Sequence, residues 1–203
     1  MPHRLMTTDV GDLNSGFLPN DTGAQAGGGG QTTPVKVSGN LGAPVAPTGG
    51  LAPAGTGADY VVGVLTVPAG AFDQAGRQLD IFANGSFAAN GDTKTVKLIA
   101  NPTAAVVGSA VSGGTTFATT GAVTTNGAGW SLSGSIVKTG ANGSNTQNGI
   151  HAAAQCGAAV QSLAEPQALT MNEAAAITIA VTINCATAAS DAALWLAQPQ
   201  WFN

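Results

Sequence analysis

Ile177-Thr178-Ile179-Ala180-Val181-Thr182-Ile183-Asn184-Cys185 alternates large apolar residues with smaller or polar ones along its whole length. In an extended chain, positions two apart share a face, so Ile177, Ile179, Val181, Ile183 and Cys185 form one apolar stripe. A helix would scatter them around its axis. The stretch predicts a strand with a buried face, and such a strand needs partners.

The partners lie upstream. Residues 60–67 are rich in β-branched side chains and close on Pro68-Ala69-Gly70, a strand running into a turn. Leu79, Ile81 and Ala83 alternate with Asp80 and Phe82 before Asn84-Gly85, which reads as a turn. Asn90-Gly91-Asp92 leads into 93–100, where Val96, Leu98 and Ala100 face away from Lys97. Residues 104–111 and 115–119 read as short strands on either side of Ser112-Gly113-Gly114. Beyond Asn126-Gly127, Trp130, Leu132, Gly134 and Ile136 alternate with Ser131, Ser133 and Ser135. A polar loop, 139–148, precedes a strand over 150–160 that puts Ile150, Ala152, Ala154 and Cys156 on one face. Glu165-Pro166 marks a turn, and in 192–202 Leu194 and Leu196 oppose Trp195 ahead of Pro199 and Trp201-Phe202. Helix competes only in the alanine-rich pieces 152–159 and 173–176, because alanine is the best helix former. The strand spacing and the Gly/Asn turns predict an all-β body, an antiparallel β-sandwich or jelly roll.

Composition divides the chain in two. Before residue 57 lie Pro2, Pro19, Pro34, Pro44, Pro47 and Pro53 and the glycine run 27–30, with no apolar period and no three-residue glycine repeat of the collagen kind. Residues 1–56 read as a long extended Gly/Pro-rich arm, and 57–203 as the body ending in an aromatic tail. The 203 residues include 29 glycines, and only 8% are charged, for a formal net charge of −4. So few charges argue against a polyelectrolyte-like disordered chain and against a nucleic-acid partner, and Lys94, Lys97 and Lys138 have no cluster around them. No run reaches about 18 apolar residues, so no membrane span is expected. The residues after Met1 lack an apolar signal segment, which leads us to expect synthesis in a cytoplasm. Cys156 and Cys185 are then expected as reduced thiols packed inside.

Catalytic chemistry has little to build on. His3 lies in the arm and His151 on a strand, neither with a Cys, Asp or Glu at metal-ligand spacing. Glu165 and Glu173 flank one turn, while Asp73, Asp80 and Asp92 lie at others; nothing in the pattern drives a carboxylate pair apart in pKa as glycoside cleavage requires. The run 27–30 lacks the Gly-Lys-Ser/Thr of a phosphate loop. The expectation is a non-enzymatic protein with no cofactor and no metal. A surface of Ser, Thr, Asn, Gly and Ala packs against other protein with few ions to strip of water, which favours a structural, oligomeric role.

A resemblance points the same way. Val67-Pro68-Ala69-Gly70-Ala71-Phe72-Asp73, then Gly76-Arg77-Gln78-Leu79-Asp80-Ile81-Phe82-Ala83-Asn84-Gly85, then Asn90-Gly91-Asp92-Thr93-Lys94-Thr95-Val96-Lys97-Leu98 resemble successive turn and strand patterns of tailed-bacteriophage virion proteins. Thr125-Asn126-Gly127-Ala128-Gly129-Trp130-Ser131-Leu132 and Val137-Lys138-Thr139-Gly140 are similar to a further strand pair of that group. The resemblance spans residues 59–184. It implies a β-sandwich or jelly roll, a homotrimer, and a place on the virion's capsid surface after synthesis in the host bacterial cytoplasm. The implied role is decoration, cementing or a head-fibre base, with the major capsid protein as partner; a tail, baseplate or receptor-binding fibre component is the alternative. The arm and the aromatic tail depart from the group's pattern and suit attachment to a shell. Trp195, Trp201 and Phe202 are the expected interface anchors, because large rings concentrate at interface centres, with closure of the sandwich by Trp195 an equal alternative for that residue because a final strand needs one buried face.

Overall fold

The computed structural model describes residues 36–38, 50–162 and 167–202; residues 1–35 and 39–49, most of the expected arm, and the turn at Glu165-Pro166 lie outside them. Eleven strands are described: β1 (Lys36–Ser38), β2 (Tyr60–Val67), β3 (Gln78–Phe87), β4 (Lys94–Ala100), β5 (Thr115–Thr119), β6 (Gly129–Lys138), β7 (Gln147–Cys156), β8 (Ala159–Ser162), β9 (Gln167–Leu169), β10 (Ile177–Cys185) and β11 (Ala192–Phe202). They form two antiparallel sheets, one ordered β1-β2-β10-β4-β5, the other β11-β3-β6-β7-β8 with β9 also paired to β7. The sheets share one core in a sandwich-like arrangement, with Leu65, Leu98, Ile179 and Ile183 from the first packed with Leu79, Ile81, Leu132 and Ile136 from the second.

Strand β10 is the centre of the first sheet. It runs between β2 and β4, so its backbone is satisfied on both edges, and its apolar stripe is buried throughout. Its other face is covered too. Val61, Ile99 and Ala180 form a smaller cluster with Ala105 and Val111 laid over them. This corrects the strand expected at 104–111, which is a loop held by isolated bridges from Ala104 to Ser112 and from Tyr60 to Ala110. Ala105 and Val111 cap the outside of a sheet instead of alternating within one, while Val106 and Val107 are exposed.

Other corrections follow from packing. Asn84-Gly85 is not a turn but lies inside β3, opposite Trp130 of β6 and Leu194 of β11. A Cβ on Gly85 would stand 1.9 Å from the Ala193 carbonyl oxygen and 2.5 Å from the Trp130 ring, so the glycine makes room for both the β11 backbone and the indole. The strand expected over 150–160 breaks at Gly157, whose φ of 60° opens the two-residue turn between β7 and β8. Ile150 faces away from Ala152, because one extra residue enters β7 between the partners of Ser133 and Ser135. A similar shift at Leu194/Leu196 turns Leu196 outward and Ala197 inward. Leu51, ahead of β2, exchanges two backbone hydrogen bonds with Leu194 and packs on the core.

Candidate functional site

The aromatic tail is a strand. In β11, Trp201 sits opposite Leu79 and is half-buried, its ring 5.1 Å from that of Phe72 at 62°. Trp195 lies at the register shift beneath the segment entering at Gly50, where a Cβ would stand 2.5 Å from the indole. Both rings therefore serve packing within the chain, and Trp195 Nε1 and Trp201 Nε1 are shielded from solvent with no acceptor among the described residues. Phe202 ends β11 opposite Gln78. On one side β11 pairs with β3; on the other, Leu51 pairs at Leu194. Pro199, which lacks an N–H, occupies the kind of edge position a sheet tolerates.

The outer face of this sheet is a field of hydroxyls, amides and small residues. Ser131, Ala153, Gln155, Gln198 and Gln200 are exposed, Asn84 and Ser133 partly so, and Phe82 is 45% and Leu196 36% exposed. A shallow depression between β3, β6 and β7 is lined by Gln78, Asp80, Phe82, Ser133, Gly134, Ser135 and Ala153. Asp80 is the one charge among these groups, and Gln78 Nε2 donates to it at 2.6 Å.

Of the lysines at 94, 97 and 138, Lys94 and Lys138 are fully buried. Only Lys97 of the three reaches solvent, in an ion pair with Asp59 at 2.7 Å. Lys138, the last residue of β6, is buried against Glu173, which is also buried. Gln147 Nε2 donates to the same Glu173 Oε1, the Gly143 N–H donates to Glu173 Oε2 at 2.9 Å, and Lys138 Nζ donates to Ser144 Oγ at 2.7 Å. Gln147 also brackets the backbone of Met171, accepting from its N–H at 3.0 Å and donating to its carbonyl at 3.3 Å. The loop after β6 and the segment before β10 are thus tied together by one buried polar cluster. Glu173 meets a lysine and an amide here, not a second carboxylate.

Toward the opposite end of β6, Trp130 stacks on Phe87 with centroids 6.1 Å apart, and Lys94 Nζ lies 6.0 Å from the Phe87 ring. Lys94 Nζ donates to Asn90 O at 2.8 Å and Asn90 Oδ1 at 2.6 Å, while Asn90 Nδ2 donates to buried Asp191 at 2.7 Å. One asparagine thereby connects a buried cation with a buried anion. Cys185 sits across from Lys94 in the β4–β10 register. Burial, and next the Asp191 carboxylate, push its thiol up to about 11. Cys156 is also raised by burial, and both cysteines are free thiols in the interior. Among the described residues, no three His, Cys, Asp or Glu side chains come together as a metal site.

The alternation already contained the signal for both lysines. Lys138 continues Trp130, Leu132, Gly134 and Ile136, and Lys94 precedes Val96 and Leu98 in the same register.

No protein-family model matches the chain, and neither the curated proteins nor the solved structures provide a match.

Proposed function

We propose that this chain is a non-enzymatic structural protein of a bacteriophage virion, a homotrimer bound to the outside of the capsid that decorates or cements the major capsid protein lattice. The observation that carries this reading is the outer face of β3, β6, β7 and β11, where hydroxyl and amide groups surround Phe82 and Leu196. Docking such a face onto protein strips few ions of water, and the two apolar side chains supply its anchors. The resemblance of residues 59–184 to virion proteins supports the same assignment. A jelly-roll description of the body, and residues 1–56 as an arm running over neighbouring subunits, belong to the same reading. Trp195 and Trp201 hold β11 in place at the margin of the face, and Phe202 belongs to the proposed contact.

The test is reconstitution. Particles lacking the protein are imaged before and after the purified chain is added back. Regular threefold density on the capsid exterior, lost with Phe82→Asp in a chain that still folds, is the expected result. Empty capsids at saturating protein overturn the reading, and density on the tail or baseplate moves the protein to a tail or receptor-binding component.

A further inference from the structure

We propose that Lys138 and Gln147 become joined through their side chains, an intramolecular isopeptide bond that the folded chain makes for itself with Glu173 as proton carrier. The two residues lie directly opposite one another where β6 and β7 leave and enter the loop 139–146, and both are buried. Lys138 Nζ and Gln147 Nε2 donate to the same oxygen, Glu173 Oε1, so amine and carboxamide nitrogen lie within two hydrogen-bond lengths, at most about 6 Å. Every other part of the site is oriented. The Met171 N–H donates to Gln147 Oε1 at 3.0 Å, where an oxyanion forms when the amide is attacked. The Gly143 N–H fixes the second Glu173 oxygen at 2.9 Å, and Ser144 Oγ holds Lys138 Nζ at 2.7 Å.

The chemistry follows from that arrangement. The Lys138 ammonium passes a proton to Glu173, which replaces a buried ion pair, expensive to desolvate, with a neutral amine and acid. The amine attacks Gln147 Cδ, and the carbonyl electron pair moves to Oε1 against the Met171 N–H. Glu173 returns its proton to Nε2. Collapse of the tetrahedral centre then breaks Cδ–Nε2 and expels ammonia, and Glu173 takes the surplus proton from Nζ. One Nζ–Cδ bond forms, one Cδ–Nε2 bond breaks, and no oxidant enters. Burial keeps water from the product amide.

Peptide mapping of the full-length protein tests this. Lys138 is the last Lys or Arg of the sequence, so an unmodified side chain lets trypsin release a peptide beginning at Thr139. The expected result for reduced, denatured wild type is an uncut 138–139 bond and fragmentation that places a link between 138 and 147, lighter by one ammonia. Fragmentation is needed because Asn-Gly sites also lose ammonia on cyclising. In Glu173→Gln the 138–139 bond is expected to be cut and Gln147 to be a free amide. Cleavage after Lys138 in the wild type overturns the proposal, as does a loss of water mapping to Lys138 and Glu173. A link persisting in Glu173→Gln removes Glu173 from the chemistry. The decisive reading is made on the wild type, so a folding defect in the variant leaves it intact.

Discussion

Trp201 stands edge-on against Phe72, ring centroids 5.1 Å apart and planes at 62°, and so fastens the end of β11 to the turn that follows β2. Phe72 is 1% exposed, whereas Trp201 is half-buried. Trp201→Ala is expected to cost roughly 2 to 3 kcal/mol of folding stability, less than a fully enclosed ring because part of the indole already meets water. Urea unfolding of Trp201→Ala, Phe72→Ala and the double variant checks this. Strictly additive losses would show that the two rings are not coupled.

Asn90 is expected to matter more than an exposed asparagine in a loop. Asn90→Ala takes one acceptor from buried Lys94, which keeps the Asn90 carbonyl, and one donor from buried Asp191, which keeps the Ala188 N–H. Each hydrogen bond lost from a charged group costs about 1.5 to 3 kcal/mol. A fall in the urea midpoint at unchanged slope is the expected signature. A variant as stable as the parent would mean that backbone groups alone satisfy both charges.

The raised Cys185 thiol sets a pH dependence. Its folded-state value of about 11 lies above the reference 9.0, so the folded chain holds this proton more tightly than the unfolded chain. The stabilising contribution is complete below pH 9 and is lost as pH rises toward 11. Cys156, raised by burial, acts in the same direction. Denaturation between pH 8 and 11 is expected to show a decline that shrinks in Cys185→Ala, and native alkylation at pH 8 to be much slower than alkylation in denaturant. Equal alkylation rates would contradict the buried, protonated thiol.

The entering segment has a measurable role. Leu51 bridges Leu194, and Gly50 lies on the Trp195 indole. Removal of residues 1–56 is expected to shift tryptophan emission to longer wavelength, with Trp195→Phe abolishing most of that shift. An unchanged spectrum would place the cover over Trp195 elsewhere.

Strands with an unbroken period were legible in the sequence, and breaks in that period were not. The bounds of β2, β5, β10 and β11 agree with the sequence reading, since β-branched runs ending at turns leave few alternatives. Ile150 and Leu196 were assigned to the wrong face for one reason: a single extra residue in a strand inverts the parity of all that follow, and no local residue type announces it. Lys94 and Lys138 lay on legible inward positions, but nothing near them in sequence names their partners. Glu173 sits in an aperiodic connection, and the Asn90 link to Asp191 spans the body.

The pairing of β2 with β10 and of β3 with β11 also sets a timetable. On the ribosome, β2 and β3 emerge about a hundred residues before the strands that complete their sheets, and contacts so distant in sequence form slowly. Until then Val62, Leu65, Leu79 and Ile81 have no finished core to enter. The nascent chain therefore carries unmated strands through most of its synthesis, and its yield in a cell should depend on holdase chaperones and growth temperature more than the stability of the finished fold would suggest.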